Sequence, residues 1–548
     1  MVLSGACFTI ALRANAIYDY ALNRVEGNQD ALTGFISPVK IQYLAGFYAV
    51  FFLLLFIFTL KRGQSIITFV HSSLQQIKNG IAHQINSLHP ATKIIGVAVI
   101  VLHVAINLHN AAITPITNDE AFTYINYVER GIIAALTLYN EPNNHVFYSV
   151  LANLTDALPY LSTPMKLRLP SLAIGFFTLP AFFILAAKLS RERVALLSLI
   201  IFSSLYLTAK YHFLARGYGL MMFFFIINLT AAYALSGNSR KSGVQLLFVA
   251  TAVLGFYTHP AYLIPFLVCA ATSLFSVNRK AHYLPLFYLL SITAILTLVL
   301  YLPLLTLNGL SAFTSNSGLE KPEPLLLLKQ IGGNISGVFT QGFYDLPALQ
   351  IAGICLMSLG LIVARRSTVA ITLLLSILFT VSILYASGSP MFIRNLLWFS
   401  VFIAVLIGFG IDALLSFRYL TARPSHLLTT GIFILLFLVR TVNHRPTFNS
   451  YYHRLFQAYA FTEALPQDFG EMYSEHTSDY YTILKYNAIS KNGKTGKLYR
   501  SNFDSEKDYD RVLNIKKLKQ NYHRESTFRY EKEYEDDYIS LWKIIVEK

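Results

Sequence analysis

The sequence predicts an α-helical polytopic membrane protein of about twelve spans, roughly 11–13, with a small α/β domain at its C-terminal end. Three observations carry the prediction. Of the 548 residues 54% are hydrophobic and 13% charged, whereas about a quarter of a soluble domain is charged. Apolar runs of about 20 residues, the length that crosses a bilayer at about 1.5 Å rise per residue, recur between Lys40 and Val439. From about Arg445 the composition turns sharply to Tyr, Lys, Asp and Glu.

The net charge of +15 raises nucleic acid as a partner, and its distribution excludes it. Residues 1–444 carry 27 Lys/Arg against 13 Asp/Glu, and residues 445–548 carry 17 against 16. The excess lies in loops between apolar runs, where it sets membrane orientation, and not in a basic patch. Cys7, Cys269 and Cys355 sit in apolar surroundings, too few and too dispersed for a disulfide framework or a zinc site, and read as small core residues. The first apolar run is interrupted by Arg13 and lacks a basic start, so internal spans, not a cleavable signal, direct insertion.

Residues 1–93 form an N-terminal extension. The stretch 1–38 is apolar and then polar from Asn23 to Asp30, and the pattern does not place it. Lys40–Leu60 is a clear span ended by Lys61-Arg62, and 63–92 read as an amphipathic connector with Lys78 and Lys93 close by. The main membrane domain is 94–441. Its spans are Ile94–Ile113, Leu169–Ala187, Val194–Ala209, Tyr218–Leu235, Val244–Tyr257, Ala261–Val277, Tyr283–Pro303, Pro347–Ala364, Val369–Ala386, Phe392–Ala413 and His426–Val439.

Loop charges alternate along this series. Lys61-Arg62, Lys78, Lys93, Lys188/Arg191/Arg193, Arg240-Lys241, Arg279-Lys280, Arg365-Arg366 and Arg418/Arg423 form one set, assigned to the cytoplasm. Asp119, Glu120, Glu129, Glu141, Glu320, Glu323, Asp345 and the polar tail form the other. Parity then requires Val146–Leu161 to lie in the interface or re-enter. The glycine-spaced stretch from Leu304 to Leu346 reads as a long external loop whose piece Leu325–Leu328 could act as a lid. Residues 442–548 read as a soluble extracytoplasmic domain. Asp479–Ala488 suggests a helix there, and Tyr538–Ile544 alternates like a strand.

The chain's chemistry centres on Asn118-Asp119-Glu120-Ala121-Phe122-Thr123-Tyr124, directly after the Ile94–Ile113 span. Carboxylates next to hydrocarbon are costly and mark function. In a helix beginning after Pro115, Asp119, Thr123 and Asn126 share one face, and Glu120 and Tyr124 the neighbouring stripe. Thr117 or Asn118 would cap it, and a capped helix start is by itself a sufficient bland account of the two acids. Downstream, Asn144 and His145, Arg168, Lys210, Arg216 and Tyr218, His259, and Arg394 all fall at span ends on that same side. Arg168, Lys210 and Arg394 could instead snorkel to head groups, and the two histidines could be satisfied at the interface. Jointly, a carboxylate pair, cations and histidines suit transfer of a group from a lipid-linked anionic leaving group to a hydroxyl. A carboxylate with a raised pKa would serve as base, and arginines would meet the phosphate.

The ordered set Asn118-Asp119-Glu120-Ala121, Asn144-His145-Val146-Phe147-Tyr148, Arg168-Leu169-Pro170-Ser171, Ala215-Arg216-Gly217-Tyr218, Tyr257-Thr258-His259 and Met391-Phe392-Ile393-Arg394 resembles the bacterial integral-membrane glycosyltransferases of the GT-C fold. These are similar to protein O-mannosyltransferases and the lipid A aminoarabinose transferase, that is, glycosyltransferase family 39-like. The resemblance implies Asp119 and Glu120 as catalytic residues, and Tyr124, Asn144, His145, Arg168, Lys210, Arg216, Tyr218, His259 and Arg394 as contacts to donor phosphate or acceptor. It also implies a polyprenyl-phosphate sugar donor, a lipid, glycan or protein acceptor, and inversion in a single displacement. The bacterial inner membrane is the implied location, with an extracytoplasmic active face. The chain departs from the aminoarabinose transferases where Asn143-Asn144-His145 replaces their Lys-Pro-Pro-like element, and with only Trp398 and Trp542 it lacks the Trp-Trp-Asp motif of oligosaccharyltransferases.

No cofactor is required by the sequence; the Asp-Glu pair could hold a divalent cation, but no complete ligand set is visible. Three other functions compete: a transporter or flippase of lipid-linked glycans, an oligosaccharide ligase, and an assembly protein working through its tail. His103, Asn107 and Asn110 on one face inside the Ile94 span favour transport if they line a path, and read otherwise as interhelical hydrogen-bonding groups.

Overall fold

The computed structural model describes residues 1–24, 36–139, 143–237, 241–275, 283–314, 322–416, 431, 460–465, 467–474, 486, 495–499, 511–515, 529–535 and 539–545. Eight helices among them are long and apolar enough to cross a membrane: Pro38–Asn86, Pro90–Ile113, Thr163–Leu189, Tyr218–Leu235, Tyr283–Asn308, Pro347–Ala364, Thr368–Ser387 and Ile393–Leu415. The chain is a multi-pass integral membrane protein.

About twelve spans were expected, and the expected runs beyond these eight fall on shorter helices or outside the described residues. Val194–Ala209, Val244–Tyr257 and Ala261–Val277 correspond to the helices Glu192–Ser204, Ser242–Thr258 and Leu263–Phe275, of 13, 17 and 13 residues. Every residue from Val194 to Ser204 is buried. The His426–Val439 run lies outside the described residues, as do Arg418 and Arg423.

Ser37 accepts a hydrogen bond from the Lys40 amide (3.3 Å) and Pro38 occupies the first turn, so the first long helix starts where the expected span does. It does not end at Lys61-Arg62. It continues through the expected connector for 49 residues, about 74 Å. Lys and Arg are good helix formers; they mark a membrane border and need not stop a helix. Val2–Leu12 lies on this helix, with Ser4 Oγ donating to Ala49 O at 2.7 Å, and Ala14–Arg24 follows.

Prolines inside two spans free carbonyls that need donors in hydrocarbon. Pro170 cannot bond Lys166 O, which accepts the Thr155 hydroxyl at 2.8 Å instead. Pro303 frees Val299 O, and Tyr48 OH donates to it at 2.7 Å. Elsewhere Pro347–Ala364 crosses Ser400–Leu415 backbone to backbone: a Cβ on Gly360 would collide with Leu406 O, and one on Gly410 with Leu356 O. In Pro90–Ile113, His103 Nδ1 meets Ser203 O at 3.0 Å, and His103 Nε2 meets His212 Nδ1 (3.0 Å) and Asn107 Nδ2 (2.9 Å). These groups join helices, the second of the two expected readings. Cys269 is buried, but Cys355 is exposed on Pro347–Ala364, so only part of the small-core reading of the cysteines holds.

Val146–Asp156 is an 11-residue helix, about 16 Å long, too short for a hydrocarbon core of about 30 Å. The stretch read as a long loop contains a further helix, Pro324–Gly342, whose Leu327, Ile331 and Val338 are buried and which packs on the 3₁₀ turn Ile393–Phe399. Its glycines suggested a loop, yet Gly337 is a contact point: a Cβ there would lie 2.7 Å from Ile393 Cδ1. Near the C-terminus five strands, β1 (Asp468–Ser474), β2 (Thr495–Tyr499), β3 (Arg511–Ile515), β4 (Arg529–Glu535) and β5 (Ile539–Ile545), form a sheet ordered β2-β1-β3-β5-β4. β1 pairs parallel with β2 and β3, and β5 antiparallel with β3 and β4. The expected strand is β5; the expected Asp479–Ala488 helix lies outside the described residues apart from Tyr486.

Candidate active site

The Ile94–Ile113 span, observed as Pro90–Ile113, leads into a capping box. Thr117 Oγ1 accepts from the Glu120 amide (3.4 Å) and Glu120 Oε2 accepts from the Thr117 amide (2.9 Å), which starts the short helix Asn118–Thr123. That helix passes into a π-turn, Tyr124–Val128. Such turns concentrate at functional sites. Thr123 stays on the Asp119 face, its hydroxyl donating to Asp119 O at 2.9 Å, whereas Asn126 Nδ2 is occupied by Phe122 O (2.9 Å).

The two adjacent carboxylates enter opposite environments. Glu120 is buried. Its Oε1 accepts from Arg168 Nε (2.8 Å) and the Ala215 amide (2.7 Å), and its Oε2 from Arg168 Nη2 (2.6 Å) and the Thr117 amide. Arg168 spends its other donors on Ala111 O (2.8 Å), Thr114 O (2.6 Å) and Pro115 O (3.0 Å), so all five N–H groups are engaged. It is fully buried and does not snorkel. Burial pushes the Glu120 carboxyl up, but Arg168 and the two amides outweigh it and hold it below its ordinary value.

Asp119 keeps 31% of its side chain exposed, beside Arg394, 35% exposed. Arg394 Nη1 donates to Asp119 Oδ2 at 3.3 Å, and Arg216 Nε lies 3.9 Å from the same oxygen. A raised pKa was expected here. Burial does push the Asp119 carboxyl up, but Arg216, Arg394 and Lys210 overcome it, and the group sits below its ordinary value.

Arg216 is nearly buried and is held by Thr123 Oγ1 (3.0 Å), Asn143 O (3.4 Å) and His145 Nε2 (2.9 Å). Because a guanidinium only donates, His145 Nε2 accepts and the imidazole is neutral. Burial, Arg216, His259 and Arg394 all depress His145. His259 is pushed down to about 3 by burial and the two arginines, and its Nδ1 caps the following turn by accepting from the Ala261 amide (3.0 Å). The imidazoles stand 4.8 Å apart, with the Tyr218 ring 4.5 Å from His145 and 5.9 Å from His259. Both guanidinium groups lie over Tyr218, at 5.6 and 5.8 Å. Gly217 permits this packing: a Cβ there would lie 2.6 Å from His145 Nδ1. Two donors in the cluster, Nε of Arg216 and Nε of Arg394, are buried without a hydrogen-bond partner.

The structure thus brings Asp119, His145, Arg216, Tyr218, His259 and Arg394 together, with Lys210 held near by over Tyr206 and Tyr211. Glu120 and Arg168 form a separate clasp. Asn144 spends its amide on Ala135 O and Leu138 O (2.9 and 2.8 Å) and accepts from Ser149, and Tyr124 packs edge-on to Tyr486 at 5.4 Å. Sequence reasoning missed the Ala215 amide, and it missed Ser171, which bridges Tyr148 OH (3.0 Å) and Leu214 O (2.6 Å) and ties the Arg216 turn down. It also missed Met391, in the left-handed region at φ 55°, whose carbonyl accepts from Asn334 Nδ2 (2.6 Å) just before Arg394. Backbone roles leave no residue-type signal. Among the described residues no group of three or more His, Cys, Asp and Glu comes together as a metal site.

No protein-family model matches the chain, and no curated protein does. Solved structures that it resembles include the Archaeoglobus fulgidus oligosaccharyltransferase in complex with Zn and sulfate, at TM-score 0.45 and 12% identity over 72% of this chain and 61% of that one. Another is the archaeal oligosaccharyltransferase AglB from the same organism with an inhibitory peptide and a dolichol-phosphate, at TM-score 0.47 and 13% identity over 73% and 64%. The arabinosyltransferase EmbB from Mycobacterium smegmatis gives TM-score 0.39 and 11% identity over 59% and 31%. The chain spans less than two thirds of the length of each.

Proposed function

We propose that the chain is a membrane glycosyltransferase that moves a monosaccharide from a polyprenyl-phosphate donor to a hydroxyl of a lipid, glycan or protein acceptor. The observation that carries this reading is the pair of guanidinium donors without hydrogen-bond partners, Nε of Arg216 and Nε of Arg394, beside the Asp119 carboxylate, a third of which is exposed. An anion would fill the donors, and a hydroxyl would fill the carboxylate.

Asp119 accepts the proton of the acceptor hydroxyl as its oxygen attacks the anomeric carbon. The bond from that carbon to the phosphate oxygen breaks, and the phosphate leaves with the electron pair. Arg394 and Arg216 meet its charge. One displacement inverts the anomeric centre. The lowered pKa of Asp119 fits this sequence of events: the arginines hold it ionised, and an arriving phosphate offsets their charge and restores its basicity. Neutral His145 and His259 offer hydrogen bonds to sugar hydroxyls and not charge. Glu120 and Arg168 act as positioning residues. In this reading the site faces the non-cytoplasmic side of a bacterial inner membrane, opposite the basic loops, and residues 442–548 form a soluble α/β domain on that side.

The test is a mass-spectrometric profile of lipid-linked sugars and surface glycans in cells carrying wild-type protein, a deletion, or Asp119→Asn at matched expression. Loss of one sugar with build-up of a polyprenyl-phosphate monosaccharide in both mutants is expected. A wild-type profile for Asp119→Asn overturns the base assignment.

A further inference from the structure

Two helices lead away from the Asp119 cluster to the other end of the bundle. Thr163–Leu189 carries Arg168 near its start and Lys188 at its end, about 30 Å away along the axis. Ser242–Thr258 runs back from its N-cap Lys241 to His259, about 27 Å. Between their far ends, Tyr218–Gly237 and the second half of Pro38–Asn86 enclose a cavity of ≈ 630 Å³. This is within the range of small-ligand sites, about 300–1,000 Å³. Its walls are mainly apolar, with Ile77, Ile81, Ile184, Ile227 and Leu247 beside Gln76, Gln84 and Thr230, and the exposed residues Lys188 and Lys241 also line it. Neither lysine has an ion pair with a described carboxylate.

The long helix shows which medium surrounds this cavity. Past Lys61-Arg62 it still carries an exposed apolar stripe, Ile67, Val70, Leu74, Ile81 and Ile85, at spacings of three, four and seven that keep one face. Exposed apolar side chains in such a stripe mark contact with lipid. The cavity therefore opens about one bilayer thickness from Asp119, with cations and an oily wall.

We propose that this cavity binds an anionic phospholipid, its head-group phosphate between Lys188 and Lys241 and an acyl chain along the Ile77–Ile81–Ile184 wall. Charge complementarity selects an acidic lipid, because each basic side chain near an anionic head group strengthens binding measurably. The site is independent of the transferase reading.

Native mass spectrometry of the full-length protein in mild detergent, with phosphatidylglycerol or phosphatidylcholine added, tests this. Wild-type protein is expected to retain phosphatidylglycerol over phosphatidylcholine. The double variant Lys188→Gln/Lys241→Gln is expected to bind phosphatidylglycerol about 30-fold more weakly, with phosphatidylcholine unchanged. Equal retention by wild type and variant, or no preference for the acidic lipid, overturns the proposal. Displacement of phosphatidylglycerol by millimolar inorganic phosphate would make the site a free-anion site and overturn the lipid assignment. If the double variant loses its unfolding transition, Ala181→Phe, which fills the apolar wall and leaves both charges, carries the test: unchanged retention overturns the proposal and reduced retention supports it.

Discussion

The two sides of the Asn118–Thr123 helix hold adjacent carboxylates, each facing arginine, and they do opposite things. On the Glu120 side every donor and acceptor is matched, and nothing is exposed. On the Asp119 side the contacts are longer, a third of the side chain is open, and two arginine N–H groups lack partners. A saturated ion pair gives rigidity; an unsaturated one keeps binding capacity. The first side holds the second in place.

The largest effect expected from this contrast is on folding. Glu120→Ala or Arg168→Ala strands a buried charge and should destabilise by about 3–5 kcal/mol, read as loss of folded protein or a large fall in unfolding temperature in detergent. Asp119→Asn should lower the unfolding temperature much less than either of these and reduce sugar transfer by about 10²–10⁴-fold, measured as initial rates on membranes. If the two phenotypes are exchanged, the division between the sides is wrong. Arg394→Lys keeps a charge but loses the fork and should lower the rate by about 10–100-fold, a larger effect than the reverse change at the part-buried Lys210, Lys210→Arg.

A smaller effect concerns pH. Both carboxyls lie below their ordinary values of 3.8 and 4.5. A depressed carboxyl contributes stability that is complete above its unfolded value and is lost as pH falls through its folded value. Unfolding temperature should therefore start to fall below about pH 6.5, where the depressed His145 and His259 gain protons on unfolding, and fall further below about pH 4.5 as the two carboxyls lose their contribution. If donor phosphate restores the basicity of Asp119, the acid limb of kcat should lie at higher pH than that of kcat/KM, by roughly one unit. Coincident limbs would show that the phosphate does not sit near Asp119.

The legible parts of the molecule were those written in local pattern. Thr117-x-x-Glu120 spells a capping box, and span parity placed Arg216, His259 and Arg394 with Asp119 from positions up to 275 residues apart. The division of labour was not legible. Glu120 and Arg168 are the same residue types as a catalytic pair, and only three-dimensional saturation shows them to be a clasp. Asn144 likewise has the chemistry of a ligand contact and is used up by Ala135 and Leu138. Apolar periodicity also could not show that Glu192–Ser204 is a 13-residue helix buried in protein, or reveal that the Lys61-Arg62 border lies inside one continuous helix.

The clasp has a consequence for biogenesis. Glu120 leaves the ribosome 48 residues before Arg168 and 95 before Ala215. At about 5–20 residues per second its carboxylate waits about 2–10 s for its arginine. A charge at the midplane could not wait that long unpaired; one at the exit of a span stays in contact with water until the partner helix is inserted. The clasp therefore closes only once the helix carrying Arg168 and the turn at Ala215 are in place.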